Sequence, residues 1–125
     1  MSNFKEKTIL VTGGTNGIGK SIVQHFYDQK ATVYLTGTNS SLINKINSKN
    51  DSRMIAIMCD FSSPDFQNDI QSKIDKIDKI DILVNNAGIN KIDNFVDTKS
   101  EDFEKVFAFC TEHFLTFRSE IHCAK

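Results

Sequence analysis

Ile9-Leu10-Val11-Thr12-Gly13-Gly14-Thr15-Asn16-Gly17-Ile18-Gly19-Lys20-Ser21 decides how this chain folds. A short apolar run, Ile9 to Val11, leads into Gly13, Gly17 and Gly19. A helical pattern follows, with Ile18, Ile22 and Phe26 on one face. That is a strand, a tight turn and a helix, an order that sets backbone N–H groups and a helix N-terminus against a phosphate. Two phosphate loops fit. One is Gly-x-x-x-Gly-x-Gly, a dinucleotide turn. The other is G-x-x-x-x-G-K-S from Gly14 to Ser21, a nucleotide P-loop in which Lys20 would reach the phosphates.

Working outward, apolar runs alternate with helical patterns. Strands are expected at Lys7–Val11, Ala31–Leu35, Met54–Cys59 and Asp81–Val84. Helices are expected at Gly17–Gln29 and Leu42–Asn50, the second capped by Ser40 or Ser41. A third should start at Ser63-Pro64 and run to about Lys79, with Phe66, Ile70, Ile74 and Ile77 inward. Thr98-Lys99-Ser100-Glu101 resembles a capping box ahead of a last helix with an apolar stripe from Phe103 to Phe117. Strand–helix alternation of this kind gives a parallel sheet with helices on both faces, in strand order 3-2-1-4.

Composition narrows the partners. The chain has 125 residues, 39% of them apolar and 25% charged, with a net charge of -1. That balance offers no electrostatic case for nucleic acid or an anionic membrane, and no apolar run reaches the length of a membrane span. Cys59, Cys110 and Cys123 form no C-x-x-C pair, and His25, His113 and His122 share no ligand spacing. We expect a reduced, cytoplasmic protein without a metal site.

Against the P-loop, Ile18 is expected to begin the buried stripe of the first helix. Lys20 and Ser21 would then lie past the phosphate. Three stretches in order carry a resemblance: Thr12-Gly13-Gly14-Thr15-Asn16-Gly17-Ile18-Gly19, Asp60 after the third strand, and Asn85-Asn86-Ala87-Gly88 after the fourth. Together they closely resemble the short-chain dehydrogenase/reductase family, whose fingerprints are T-G-x-x-x-G-x-G and N-N-A-G. The likeness covers roughly residues 4–107, the first half of a typical family domain. It implies a Rossmann-type, doubly wound α/β half-domain over 1–107, truncated to about four strands, with a divergent tail over 108–125.

The resemblance also implies roles. Gly13, Gly17 and Gly19 would admit a dinucleotide's pyrophosphate, with Thr15 and Asn16 bonding in the loop or to phosphate. Asp60 would hold the adenine amino group and Phe61 flank the ring, though Asp60 also reads as a turn cap. Asn85, Ala87 and Gly88 would line the ribose, and Ile18 would contact the nicotinamide side. An acid at the end of the second strand would favour NAD. Thr36-Gly37-Thr38-Asn39 has none there, and small hydroxyls could receive a 2′-phosphate, so the reading leans to NADP(H), although Thr38 and Asn16 stand where many NADP-using members carry a basic residue. This loop looks most like that of 3-oxoacyl-[acyl-carrier-protein] reductases.

The chain departs from the family in its chemistry. The family reduces carbonyls with Ser, Tyr and Lys, the last two spaced Y-x-x-x-K. Here Tyr27 and Tyr34 are followed four residues on by Ala31 and Thr38. No catalytic residue can therefore be named, and the chain alone is expected to bind cofactor weakly and not to catalyse. The change of character after Val106 suggests a frameshift or early stop. The Phe103–Phe117 stripe reads as core or as a homo-oligomer contact.

Overall fold

The computed structural model describes residues 3–88 and 100–101. Four strands, β1 (Thr8–Val11), β2 (Thr32–Gly37), β3 (Met54–Met58) and β4 (Ile82–Val84), alternate with α1 (Gly17–Asp28), α2 (Ser40–Asn47) and α3 (Phe66–Ile74). All pairings are parallel, in the order β3-β2-β1-β4. This is the expected order. Ser100 and Glu101 are helical. The Phe103–Phe117 stripe, the Thr98 cap, the boundary at 107 and the tail lie outside the described residues.

Alternation along β1 sorts the core onto two faces. Ile9 and Val11 pack with Val33, Leu35 and Ala56 beneath Val23 of α1 and Ile43 of α2. Leu10 points the other way, to Phe66, Ile70 and Ile74 of α3. A central parallel strand covered on both sides must be apolar at every position, and Ile9, Leu10 and Val11 are all fully buried. Each such side chain contributes roughly 1.5–3 kcal/mol of burial free energy.

The two sheet edges are treated differently. On β3 the Asn47 side chain donates to Ala56 O and accepts from Ala56 N, both at 2.9 Å. One amide thus stands in for a neighbouring strand. Among the described residues, β4 pairs only with β1.

Four local expectations need correction. The cap of α2 is Asn39, not Ser40 or Ser41. Its Oδ1 accepts from Ser41 N at 3.0 Å and Leu42 N at 3.2 Å, so the helix begins earlier. Ser63-Pro64 does not open α3. Asp60 Oδ1 accepts from Ser62 N and Ser62 Oγ, and Ser63 N donates to Asp60 O, so these residues form turns and the helix starts at Phe66. α3 ends at Ile74 rather than Lys79, although Ile77 still buries itself from the turn that follows. Ile18 is 75% exposed and is not part of the core stripe, which α1 builds from Gly19, Val23 and flanking Ile22 and Phe26.

Candidate functional site: a cavity at the carboxyl end of the sheet

Where β1 and β2 end, their loops part around a cavity of about 380 Å³. Its wall is Gly13, Thr15, Asn16, Gly17 and Ile18 from the glycine loop, Thr36, Gly37 and Thr38 from β2, and Cys59, Asp60 and Phe61 beyond β3. Asn86, Ala87 and Gly88 close it. A crevice at the carboxyl ends of parallel strands, where the strand order reverses at β1 between β2 and β4, is the usual ligand position of an open α/β sheet.

The loop is held from beneath by hydrogen bonds between distant residues. Gly13 N donates to the buried Thr36 Oγ1 at 3.1 Å, and Gly14 N to Thr36 O at 2.9 Å. The buried Thr12 Oγ1 accepts from Asn86 N and Ala87 N, each at 3.0 Å. The Asn86 side-chain amide donates to Thr12 O at 3.2 Å and Gly13 O at 3.1 Å. Every one of these groups would be costly to leave unpaired in the interior. Sequence positions more than seventy residues apart are thereby fixed against each other.

Two glycines are required by geometry. Gly13 has φ +67° and a Cβ there would lie 2.9 Å from Ala87 Cα. A Cβ on Gly19 would strike Gly13 O and stand 2.5 Å from Asn86 Nδ2. Gly19 lets α1 approach the loop that closely. The first α1 amide with an intrahelical acceptor is Lys20 N, which donates to Asn16 O at 3.1 Å. The amides of Gly17, Ile18 and Gly19 precede it at the helix N-terminus, beside the cavity. Such a terminus suits an anion.

This settles the geometry of the rejected P-loop. α1 begins at Gly17, so Lys20 and Ser21 lie within its first turns, and neither lines the cavity. Ser21 Oγ turns back to Gly17 O at 3.5 Å. The start of α1 at Gly17 takes Lys20 past the phosphate, and burial of Ile18 plays no part in it.

Of the residues singled out by sequence, Gly13, Thr15, Asn16, Gly17, Ile18, Thr38, Asp60, Phe61, Ala87 and Gly88 share the cavity wall. Gly19 packs behind it, and Asn85 is exposed and does not line it. Thr36, Gly37, Cys59 and Asn86 join the wall without having been singled out. Among the described residues Asp60 carries the only charge on it, and its Oδ1 is held by Ser62. Burial pushes the Cys59 thiol up to about 12, helped by the Asp69 carboxylate. At neutral pH it is a small hydrophobe, not a nucleophile. Among the described residues no cluster of His, Cys, Asp or Glu could hold a metal. Nor is any helix there long and apolar enough to cross a membrane.

Comparison with known proteins agrees with this geometry. The short chain dehydrogenase family profile matches residues 7–117. An uncharacterized oxidoreductase, YvrD of Bacillus subtilis, is 30% identical over 106 residues, covering 83% of this chain and 40% of YvrD. The 3-oxoacyl-[acyl-carrier-protein] reductase FabG of Chlamydia pneumoniae is 36% identical over 100 residues, 77% of this chain and 40% of that protein. Among solved structures, a blue fluorescent protein from a metagenomic library, in complex with NADPH, superposes with TM-score 0.78 at 25% identity. It covers 98% of this chain and 52% of its own. The chain thus spans about 40% of the length of these curated relatives. A profile match over so much of the sequence, on a sheet of this order, is membership: the chain belongs to the short-chain dehydrogenase family.

Proposed function

We propose that this chain is the cofactor-binding part of an NADP(H)-dependent oxidoreductase that moves a hydride between the nicotinamide and a carbonyl or alcohol. The observation that carries the proposal is the cavity wall itself. The α1 N-terminus and glycine loop meet the end of β2 there, and β2 contributes Thr36, Gly37 and Thr38 with no carboxylate. A carboxylate at that end would accept bonds from a ribose 2′-hydroxyl and repel a 2′-phosphate. Its absence, with the Thr38 hydroxyl exposed at the rim, favours the phosphorylated cofactor. The NADPH held by the metagenomic relative supports the same choice.

The residues present fit such a group. The Gly17–Gly19 amides would receive the pyrophosphate, Asp60 and Phe61 the adenine, and Ala87 and Gly88 the ribose. Ile18, apolar and open at the rim, would cover the nicotinamide side. The bound cofactor supplies the hydride; these residues bind, orient and screen it. The proton donor of a carbonyl reduction is another matter. No Y-x-x-x-K stands in these 125 residues, so this chain by itself should bind cofactor weakly and turn nothing over. A second contact, pairing of copies through the Phe103–Phe117 stripe, belongs to the same proposal.

Titration of the protein with NADPH, NADH and Mg-ATP tests it. The expected order is NADPH tighter than NADH, no measurable Mg-ATP binding, and no change on Lys20→Ala. Mg-ATP binding that depends on Lys20 would restore the P-loop reading. NADPH-dependent carbonyl reduction above background would refute the inactivity of the isolated chain.

A further inference from the structure

Asn16-Gly17 is the one Asn-Gly pair in the sequence, and it lies on the cavity wall. The described asparagines around it are tied down. The Asn39 amide caps α2, Asn47 clamps β3 and Asn86 bridges two loop carbonyls. Asn16 occupies the N-cap of α1 in an extended conformation, φ -151° and ψ 174°, and its side chain makes no cap hydrogen bond. Gly17 is exposed, and nothing lies within 4 Å of where its Cβ would be. Its nitrogen is the first of the helix and has no intrahelical acceptor.

We propose that Asn16 is a site of spontaneous self-modification that switches this loop off. The Gly17 backbone nitrogen, losing its proton, forms a bond to Asn16 Cγ, and the Cγ–Nδ2 bond breaks to release ammonia. Water then opens the cyclic imide at either carbonyl. One opening yields aspartate, the other isoaspartate, whose chain runs through the former side chain. One water enters and one ammonia leaves, with no oxidant or enzyme. Closure needs rotation about ψ of Asn16, away from 174°. Gly17 is exposed and nothing stands where its Cβ would be, so no neighbour packs on the turn that must rotate, and a glycine nitrogen is the least hindered partner. The cost is one terminal helix bond, Lys20 N to Asn16 O.

The consequence rests on the dinucleotide reading above. Either product sets a negative charge beside the amides that would receive the pyrophosphate. An aspartate there suits the helix, as an N-cap beside the positive end of its dipole, so it competes with the anion for the same groups. Fold and affinity should therefore move in opposite directions for Asn16→Asp: unfolding temperature up, NADPH affinity down roughly tenfold.

The test ages the whole chain in mildly alkaline buffer beside a free peptide spanning residues 12–21. Peptide mapping by mass spectrometry then follows each asparagine, and an isoaspartate assay follows the product. Asn16 should convert while Asn39, Asn47 and Asn86 keep their amides, and Asn16→Ser should abolish the change. An Asn16 that stays an amide while the free peptide converts completely would overturn the proposal. Aged protein that holds NADPH as tightly as fresh protein would overturn its switching role. Fresh protein that ignores NADPH would sink the dinucleotide reading, and the mass result would still decide the modification.

Discussion

The two ends of this sheet spend their polar groups on different tasks. At the carboxyl end, buried Thr12 and Thr36 and the Asn86 amide bond only to backbone of the glycine loop and its neighbours. Charge is nearly absent, and the space they frame is left open for a ligand. At the amino end, charged groups tie chain to chain. Asp81 Oδ2 accepts from Thr8 N at 2.8 Å and its Oδ1 meets Lys79 Nζ at 3.2 Å. Arg53 stacks 4.1 Å over the Tyr27 ring and donates to Tyr27 O and Ala31 O. One end is hydrogen-bonded around an opening; the other is tied together by charged groups. Changes at the first should therefore be felt in binding, and changes at the second in stability alone.

The sharpest way to break this contrast is Gly19→Ala. Its methyl group would be driven into Gly13 O, a backbone atom that cannot swing aside. We expect a loss of about 1–3 kcal/mol in urea denaturation, as for other overpacked sites. NADPH affinity should fall more than tenfold, because α1 can relieve the clash only by backing away from the loop. Asn86→Ala comes next. It deletes two hydrogen bonds and leaves the Thr12 and Gly13 carbonyls to find other donors. At about 1 kcal/mol per bond the fold should survive. NADPH titration should weaken by about tenfold, since the loop keeps only its backbone bonds to Thr12 Oγ1 and loses the two side-chain ties that hold the Thr12 and Gly13 carbonyls. Unchanged NADPH binding in Asn86→Ala would mean that the amide merely fills space.

How legible this was in the sequence varied with the kind of information each residue carried. The strand order could be read because Ile9–Val11, Met54–Met58 and Ile82–Val84 are short apolar runs separated by helical patterns, and few topologies join such units. The cavity could be read because glycines at 13 and 19 are there for backbone reasons that few other settings impose. Ile18 misled because periodicity registers apolar character and cannot tell a core face from an open rim. Asn39, Ser40 and Ser41 are all good caps, and only the geometry of the turn decides which oxygen reaches the free amides. Ser63-Pro64 had the composition of a helix start, but the Asp60 carboxylate had already drawn Ser62 into a turn. Between Asn85 and Asn86, alike in type and adjacent, the backbone path after β4 chooses which side chain faces the loop.

At the amino end, Asp81→Ala should cost about 1 kcal/mol, the value of one hydrogen bond discounted for an exposed carboxylate. It should leave NADPH binding untouched. The bond from Thr8 N, with Lys79 adding to it, holds the Asp81 carboxyl below its ordinary range. A lowered carboxyl pKa gives stability that is present above the unfolded value and lost as pH falls through the folded one. Wild type and Asp81→Ala should thus differ in unfolding free energy at neutral pH, the gap starting to close below about pH 4 and vanishing once pH has fallen through the lowered folded value. A gap that persisted in acid would assign the effect to packing instead.

The smallest effect belongs to Tyr27, whose hydroxyl donates to Asp51 Oδ2. That bond to Asp51 raises the Tyr27 phenol above its usual range, and the same bond holds the Asp51 carboxyl low. Here the sign is opposite to that of Asp81. A raised phenol contributes stability below its unfolded pKa and loses it as pH climbs through the folded value, so the loss falls in strong alkali. The pair is solvent-facing, and screening keeps its share small. Tyr27→Phe should leave the neutral-pH unfolding midpoint almost unmoved and NADPH binding unchanged. The group is better seen directly: the phenolate absorbance step of Tyr27 should move to lower pH in Asp51→Asn and vanish in Tyr27→Phe. If Tyr27→Phe instead weakened NADPH binding, the amino end would be coupled to the carboxyl end through α1, which carries Tyr27 near its last turn and Gly17 at its first. The division of labour between the two ends would then fail at the one helix that spans them.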